Sequence, residues 1–245
     1  MSNLQDKVAL VTGSGRGIGK AIAIAYAKAG AHLALSARTE DQLNETAKSI
    51  QALAQKIIVI PADVTNQAQV KEMANKVREE FGRLDILVNN AGGGIERSLI
   101  LESDPDLWVK DVTVNCTSAY LVTHAFLPLM IESGGGKIIN IGSGMGHRPG
   151  PNSSAYHVGK AGMWMFTQCL SEEVWEYGID VNELIPGPVA TDLTQGRMAV
   201  GGPPPFAPSE YVKTPEEVTP LALWLATQPK GGPTGQSFSL TRRPI

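Results

Sequence analysis

Short apolar runs alternate along the chain with longer stretches in which apolar positions recur at helical spacing. The short runs are Val8 to Val11, His32 to Ala37, Ile57 to Pro61, Leu84 to Asn89, Lys137 to Gly142, Ile179 to Ile185 and Gln236 to Leu240, and they read as strands. Helices are predicted over Lys20 to Ala29, Glu40 to Ala54, Gln67 to Phe81, Asp106 to Met130, Ser154 to Tyr177 and Pro215 to Thr227. Pro128 is expected to kink the last turn of the fourth. Strand alternating with helix on this period implies a parallel sheet, hence an α/β protein of seven strands and six main helices. No repeat or linker divides the 245 residues, which suit one domain. One stretch breaks the pattern: Thr191 to Tyr211, with Gly201-Gly202-Pro203-Pro204-Pro205 at its middle. A loop of this length in a compact domain reads as a lid at about 191–211, hinged at Gly201-Gly202 and carrying Met198 and Phe206 as apolar contacts.

Composition narrows the function classes. A hydrophobic share of 42% with 18% charged residues is ordinary for a soluble globular protein. The net charge of -3, with signs scattered, leaves no basic stripe, which argues against nucleic acid and anionic membrane as partners. Cys116 and Cys169 have no ligand-spaced neighbours and fall within predicted helices, so both are expected to be buried and reduced, and no metal is expected. The first residues lack a basic segment followed by an apolar core, and no apolar run reaches 18 residues. The cytoplasm is the expected location.

The first strand runs into Gly13, Ser14, Gly15, Arg16, Gly17, Ile18 and Gly19, followed by an Ala/Ile-rich helix. Glycines permit positive φ and close approach of backbone to a ligand, and a helix start offers free N–H groups and a positive dipole end to phosphate. A pyrophosphate fits such a turn, although the spacing Gly-x-x-x-Gly-x-Gly differs from the commoner Gly-x-Gly-x-x-Gly.

Further along, Tyr156 and Lys160 stand four residues apart and share a helix face. An ammonium beside a phenol favours phenolate, which would bring a group that ordinarily titrates near pH ~10 toward neutrality and make Tyr156 a proton carrier. Ser143, at the end of the run Ile138-Ile139-Asn140-Ile141, offers a hydroxyl to a substrate oxygen.

Together with Asp63-Val64, Asn89-Asn90-Ala91-Gly92, Asn115 and Pro186-Gly187-Pro188-Val189-Ala190-Thr191, these motifs resemble the short-chain dehydrogenase/reductase family, nearly end to end and in the family's order. The resemblance implies a doubly wound Rossmann domain, its seven-stranded parallel sheet ordered 3-2-1-4-5-6-7 with helices on both faces. It implies that Tyr156 is the acid/base, that Ser143 positions the carbonyl, and that Lys160 lowers the tyrosine pKa and binds the nicotinamide ribose. By the same resemblance Asn115 holds a water joining Lys160 to solvent. Asp63 and Val64 contact adenine, Asn89, Asn90, Ala91 and Gly92 line the cofactor floor, Pro186 and Gly187 bind cofactor, and Val189 and Thr191 hold the carboxamide. Two departures stand out. The run before Pro186 reads Asn182-Glu183-Leu184-Ile185, where the family more often has a small residue, and Thr241-Arg242-Arg243 replaces the usual Asp-Gly-Gly ending.

The cofactor is expected to be NADP(H), because Ala37 stands where a carboxylate would grip a ribose 2′-OH, while Arg38 and Arg16 can flank a 2′-phosphate. Hydride transfer with a small carbonyl or alcohol, akin to 3-oxoacyl carrier-protein reduction, is the leading reading. A non-catalytic NADP-sensing regulator or scaffold on the same fold is the alternative, although such proteins usually lose the tyrosine or the lysine. Met163-Trp164-Met165-Phe166 puts apolar residues all around one helix, which predicts a homo-oligomer, a tetramer by resemblance. For Arg242 and Arg243, with His147 and Arg148, two readings stay open: attraction of an anionic substrate at a subunit boundary, or solvated cations.

Overall fold

Strands β1 (Val8–Thr12), β2 (His32–Ala37), β3 (Ile57–Pro61), β4 (Ile86–Asn89), β5 (Gly136–Ile141), β6 (Ile179–Ile185) and β7 (Gln236–Ser239) form one parallel sheet. Their order is 3-2-1-4-5-6-7 in the computed structural model, which describes residues 3–53, 56–194, 198–204 and 207–244. The helices are α1 (Gly17–Lys28), α2 (Glu40–Ile50), α3 (Gln67–Phe81), α4 (Pro105–Val112), α5 (Ser118–Glu132), α6 (Ser154–Val174) and α7 (Thr219–Ala226). Two cores result, one on each face of the sheet. Ile22 and Tyr26 of α1, Leu43 of α2 and Ala222 and Leu225 of α7 pack on one side, and the Tyr26 hydroxyl ties α1 to α7 through the Ala222 carbonyl at 3.0 Å. Val70, Met73 and Val77 of α3, Phe126 and Met130 of α5 and Leu170 and Val174 of α6 fill the other. Strand order reverses between β1 and β4, and the crevice beyond their carboxyl ends is where such sheets bind ligands.

Caps explain several boundaries. Asn66 accepts from the N–H groups of Ala68 and Gln69 to open α3, which Gly82 closes at φ 68. Asp104 and Pro105 do the same for α4. The helix expected to reach Ala54 stops at Ile50, its last buried position, because Gln51, Ala52 and Leu53 are exposed and have no core to join; Ala54 lies outside the described residues. Pairing of β4 begins at Ile86 rather than Leu84, since the Asp85 side chain turns to accept the Val8 N–H at 3.0 Å.

The predicted helix Asp106 to Met130 is the largest departure. It runs from Pro105 to Glu132 and carries Pro128 within α5, but a π-turn at Thr113–Thr117 divides it, so seven α-helical segments replace six among the described residues. This 28-residue stretch is apolar and long enough to cross a membrane. Its inward positions, Val122, Phe126, Leu129 and Met130, belong to the core beneath β4 and β5, as in a soluble protein's central helix. Cys116 is half-buried in the π-turn, whereas Cys169 is exposed on the outer face of α6; both are free thiols.

Candidate active site

The turn after β1 is held open by one side chain. Asn90, just past β4, donates from Nδ2 to the carbonyls of Thr12 (2.8 Å) and Gly13 (3.2 Å), and the Thr12 hydroxyl accepts from the N–H groups of Asn90 and Ala91 at 3.0 Å. A Cβ on Gly13 would stand 2.8 Å from that amide, and one on Gly19 would run into it. Gly13 and Gly17 have φ 66 and 56, which glycine adopts without strain. Gly15 lies against the Gln42 side chain, Ser14 is buried with its hydroxyl on the Ser36 carbonyl, and Ile18 joins the α1 core. Arg16 begins α1 with no side-chain cap and no acid in the first turn, so the helix presents uncapped N–H groups to the crevice. A cradle of closely approached backbone beside such a helix start fits a dinucleotide pyrophosphate.

Ala37 ends β2, and Arg38 beyond it is exposed. The Asp63 carboxyl is tied to Thr65, accepting its N–H (2.9 Å) and hydroxyl (2.7 Å). Burial pushes the Asp63 pKa up, but the Thr65 hydrogen bonds and the charges of Arg38 and Lys110 outweigh it and hold the group below the usual carboxylate range. Val64 is buried beside it. The Asn89 side chain turns away from the crevice: Nδ2 donates to Thr123 (3.0 Å) and Asn140 (2.9 Å) inside the core. Of this motif, Ala91 and Gly92 border the crevice, and a Cβ on Gly92 would lie 2.8 Å from Asn115 Oδ1 and 3.4 Å from Lys160 Nζ.

Helix α6 packs tightly on the π-turn, where Gly159 meets the Asn115 Cβ and Gly162 the Cys116 sulfur. Tyr156, Lys160, Asn115 and Ser143 come together there. Lys160 is buried; its Nζ donates to the Ile141 carbonyl at 2.7 Å and lies 5.9 Å from the Tyr156 ring centre. Burial pushes the Lys160 pKa down to about 8, against the opposing charges of Glu183, Cys116 and Asp111. The expectation of a depressed phenol is corrected for the chain alone. Burial raises the Tyr156 pKa, the Ser143 hydroxyl pulls it back, and the Asp111 and Arg97 charges act in opposite directions. Desolvation prevails because the ammonium faces the ring and spends its hydrogen bond on backbone. Ser143 Oγ also accepts the Met145 N–H at 3.2 Å, which opens the short turn Gly144–Gly146.

Asn115 is fully buried and fully engaged. Its Nδ2 reaches the Gly93 carbonyl (2.6 Å) and Asp111 Oδ1 (2.6 Å), and its Oδ1 accepts the Gly93 N–H at 3.1 Å. Asp111 in turn accepts from the N–H groups of Ile95 (2.7 Å) and Glu96 (2.9 Å), so the loop after Gly92 hangs on this pair. Sequence reasoning missed Asp111, which resembles any acid on a helix. Asn90 was expected to line the cofactor floor, but not to hold the glycine turn with its side chain.

Pro186 is buried at the end of β6, Gly187 turns at φ 69, and Val189 pairs with Lys213. Thr191 approaches the glycine turn, its methyl 3.4 Å from where a Gly17 Cβ would stand. Arg16 meets Asp192 across the crevice at 3.6 Å, both exposed. The returning half of the irregular stretch is anchored, since Gly201 and Gly202 exchange backbone hydrogen bonds with Val212 at 3.0 Å and Ala207 is buried. Gly201-Gly202 is therefore a paired segment, Met198 is half-buried, and Phe206 lies outside the described residues. The terminal arginines are also engaged: buried Glu210 takes the Arg242 N–H and the Arg243 guanidinium, each at 3.0 Å. His147 is bound to Glu183 at 2.9 Å, which leaves Arg148 as the exposed cation of that loop. Among the described residues no cluster of metal ligands occurs.

Comparison with known proteins establishes the family. The short chain dehydrogenase family model matches residues 7–199, and the chain belongs to that family, whose members are oxidoreductases using a nicotinamide cofactor. It is 35% identical over 245 residues to a 3-oxoacyl-[acyl-carrier-protein] reductase of Synechocystis, covering 98% of this chain and 97% of that protein. A Beutenbergia cavernae crystal structure with NADP bound at low occupancy superposes with a TM-score of 0.85 at 31% identity, covering 97% of this chain and 96% of its own. A 7α-hydroxysteroid dehydrogenase complexed with NADH and 7-oxo glycochenodeoxycholic acid gives a TM-score of 0.89 at 26% identity, with 98% and 94% covered.

Proposed function

We propose that the protein is an NADP(H)-dependent reductase of a small or medium carbonyl compound, with Tyr156 as the proton donor and Ser143 holding the carbonyl oxygen. The convergence of Tyr156, Lys160, Ser143 and Asn115 at the mouth of the glycine-turn crevice is the observation that carries this reading. When bound, the nicotinamide supplies or accepts the hydride. The Tyr156 phenol gives its proton to the substrate oxygen as charge develops there, and the Ser143 hydroxyl orients that oxygen. Burial moves the phenol pKa further above neutrality, so in the resting chain the proton sits on Tyr156. Lys160, held by the Ile141 carbonyl, places a positive charge beneath the tyrosine and within reach of a ribose. Asn115 and Asp111 fix the Gly92–Gly93 backbone that would lie under the cofactor.

Gly13 to Gly19, Asp63, Val64, Ala91, Gly92 and the Pro186 to Thr191 segment are the cofactor contacts in this reading; Asn89 takes part through its backbone only, its side chain being spent on the core. Support for NADP(H) is the absence of a carboxylate at Ala37 and the exposed Arg38 beyond it. Arg16 adds to it, since an exposed pair at 3.6 Å is worth under about 1 kcal/mol and does not hold Arg16 away from a phosphate. The working form is a cytoplasmic homo-oligomer of single-domain subunits, with the segment after Thr191 closing over substrate. The test is NADPH oxidation against ketones, ketoacids, diketones and oxoacyl thioesters. Turnover of one class supports the reading, and cofactor binding without turnover of any would favour a regulatory protein.

A further inference from the structure

Strand register sets Asn89, Asn140, Glu183 and Ser237 side by side across β4, β5, β6 and β7. The two amides are neutral and mutually bonded, Asn140 donating onward to Thr167 at 2.8 Å. Glu183 is different: a carboxylate at 0% exposure in mid-sheet, which costs several kcal/mol in desolvation unless compensated. Its Oε2 accepts from His147 Nε2 (2.9 Å) and the Ser237 hydroxyl (2.5 Å), while Oε1 is buried without a hydrogen-bond partner. A Cβ on Gly142 would run into this carboxylate, so the glycine next to Ser143 is what makes room for it.

His147 lies at the other end of the turn that Ser143 opens. Backbone bonds from Gly146 to the Ser143 carbonyl (2.9 Å) and from His147 to that of Gly144 (3.2 Å) close the turn. The imidazole is wedged between Glu183 and the Trp164 ring of α6, whose centroid is 5.0 Å away. Gly146 rests on α6 at Lys160, where a Cβ would stand 2.7 Å from the lysine carbonyl carbon. The Ser143 turn is thus fastened at one end by β5 and at the other by the His147–Glu183 contact.

We propose that Glu183 and His147 are positioning residues for the reaction: their contact clamps the turn presenting Ser143 against α6. The inference rests on the reductase reading above. Gly142, Glu183 and His147 form a matched set, because any larger residue at 142 excludes the carboxylate and any shorter one at 183 leaves the imidazole unanchored.

The test uses the full-length protein with Glu183→Gln, which keeps the shape of the side chain and removes its charge, and His147→Gln, which leaves the carboxylate in place. Both are expected to lower kcat about 10- to 100-fold, with KM and NADPH affinity changed less than about twofold, since misplacement of a catalytic group acts on the chemical step. Amide hydrogen exchange over residues 142–147 should quicken in both variants, a readout that needs no turnover. Unchanged exchange there, with any lost activity matching a lost folded fraction, overturns the inference. Should Glu183→Gln not fold, exchange and kcat of His147→Gln decide alone. Faster exchange in a protein whose wild type reduces no carbonyl would leave the clamp standing and reject the reductase reading instead.

Discussion

The Lys160 ammonium lies 5.9 Å from the centre of the Tyr156 ring and gives its hydrogen bond to the Ile141 carbonyl, 2.7 Å away. The two residues that define the site therefore meet face to cation, without a direct hydrogen bond, and each is displaced from its ordinary titration by burial.

That burial makes Lys160 a measurable burden on the fold. A lysine lowered to about 8 in the folded chain binds its proton less well than in the unfolded chain. The penalty is full below pH 8 and is relieved as pH rises from about 8 toward 10.5. Its size is of order 3 kcal/mol. Lys160→Met removes it but leaves the Ile141 carbonyl unpaired, which costs about 1–3 kcal/mol. Melting measured from pH 6 to 10 should show the wild type gaining on the Met variant above pH 8, by several degrees in all. A difference that is flat or of opposite slope would mean the ammonium is not destabilised by burial.

Cofactor choice turns on the end of β2. Ala37→Asp should lower the NADPH-to-NADH ratio of kcat/KM at least about tenfold, by placing a carboxylate where it repels a 2′-phosphate and accepts from a 2′-OH. Arg38→Ala should weaken NADPH with little effect on NADH. Equal or better efficiency of the wild type with NADH would reject the assignment.

How far the sequence could be read depended on whether a feature was periodic. The seven strands and the cradle at Gly13 to Gly19 followed from alternation and glycine spacing, because a strand or turn declares itself within a few neighbouring residues, whereas the order of the strands came from the family resemblance. Tyr156 and Lys160 were placed by one helical turn. The π-turn around Asn115 was invisible, since one extra residue hardly disturbs an apolar pattern that spans Pro105 to Glu132. Glu183 stood out as a departure, but its partner His147 lies 36 residues away, and only the meeting of β6 with the Ser143 turn joins them. The terminal arginines read as free cations because the buried carboxylate that engages Arg243, Glu210, lies 33 residues before it.

Association should occur through the α4, α5 and α6 surface. Tyr120 contacts Phe166 edge-on across α5 and α6, and Leu107, Val109, Tyr120, Val158 and Met165 leave apolar surface exposed there. An exposed apolar face of this kind needs cover, and a second copy of the chain is the expected occupant. Light scattering at micromolar concentration should give a dimer or tetramer, and Met165→Glu should shift it toward monomer. A monomeric wild type would contradict the prediction.

The most direct test of the proposed chemistry is NADPH oxidation by Tyr156→Phe beside the wild type, on the best carbonyl substrate, with NADPH affinity measured by fluorescence. The substitution removes the proton donor and almost no volume. The account predicts a fall in kcat of about 10²–10⁴-fold, or below detection, with NADPH affinity within about twofold of wild type. A variant that keeps more than about a tenth of the wild-type rate would show that Tyr156 does not carry the proton.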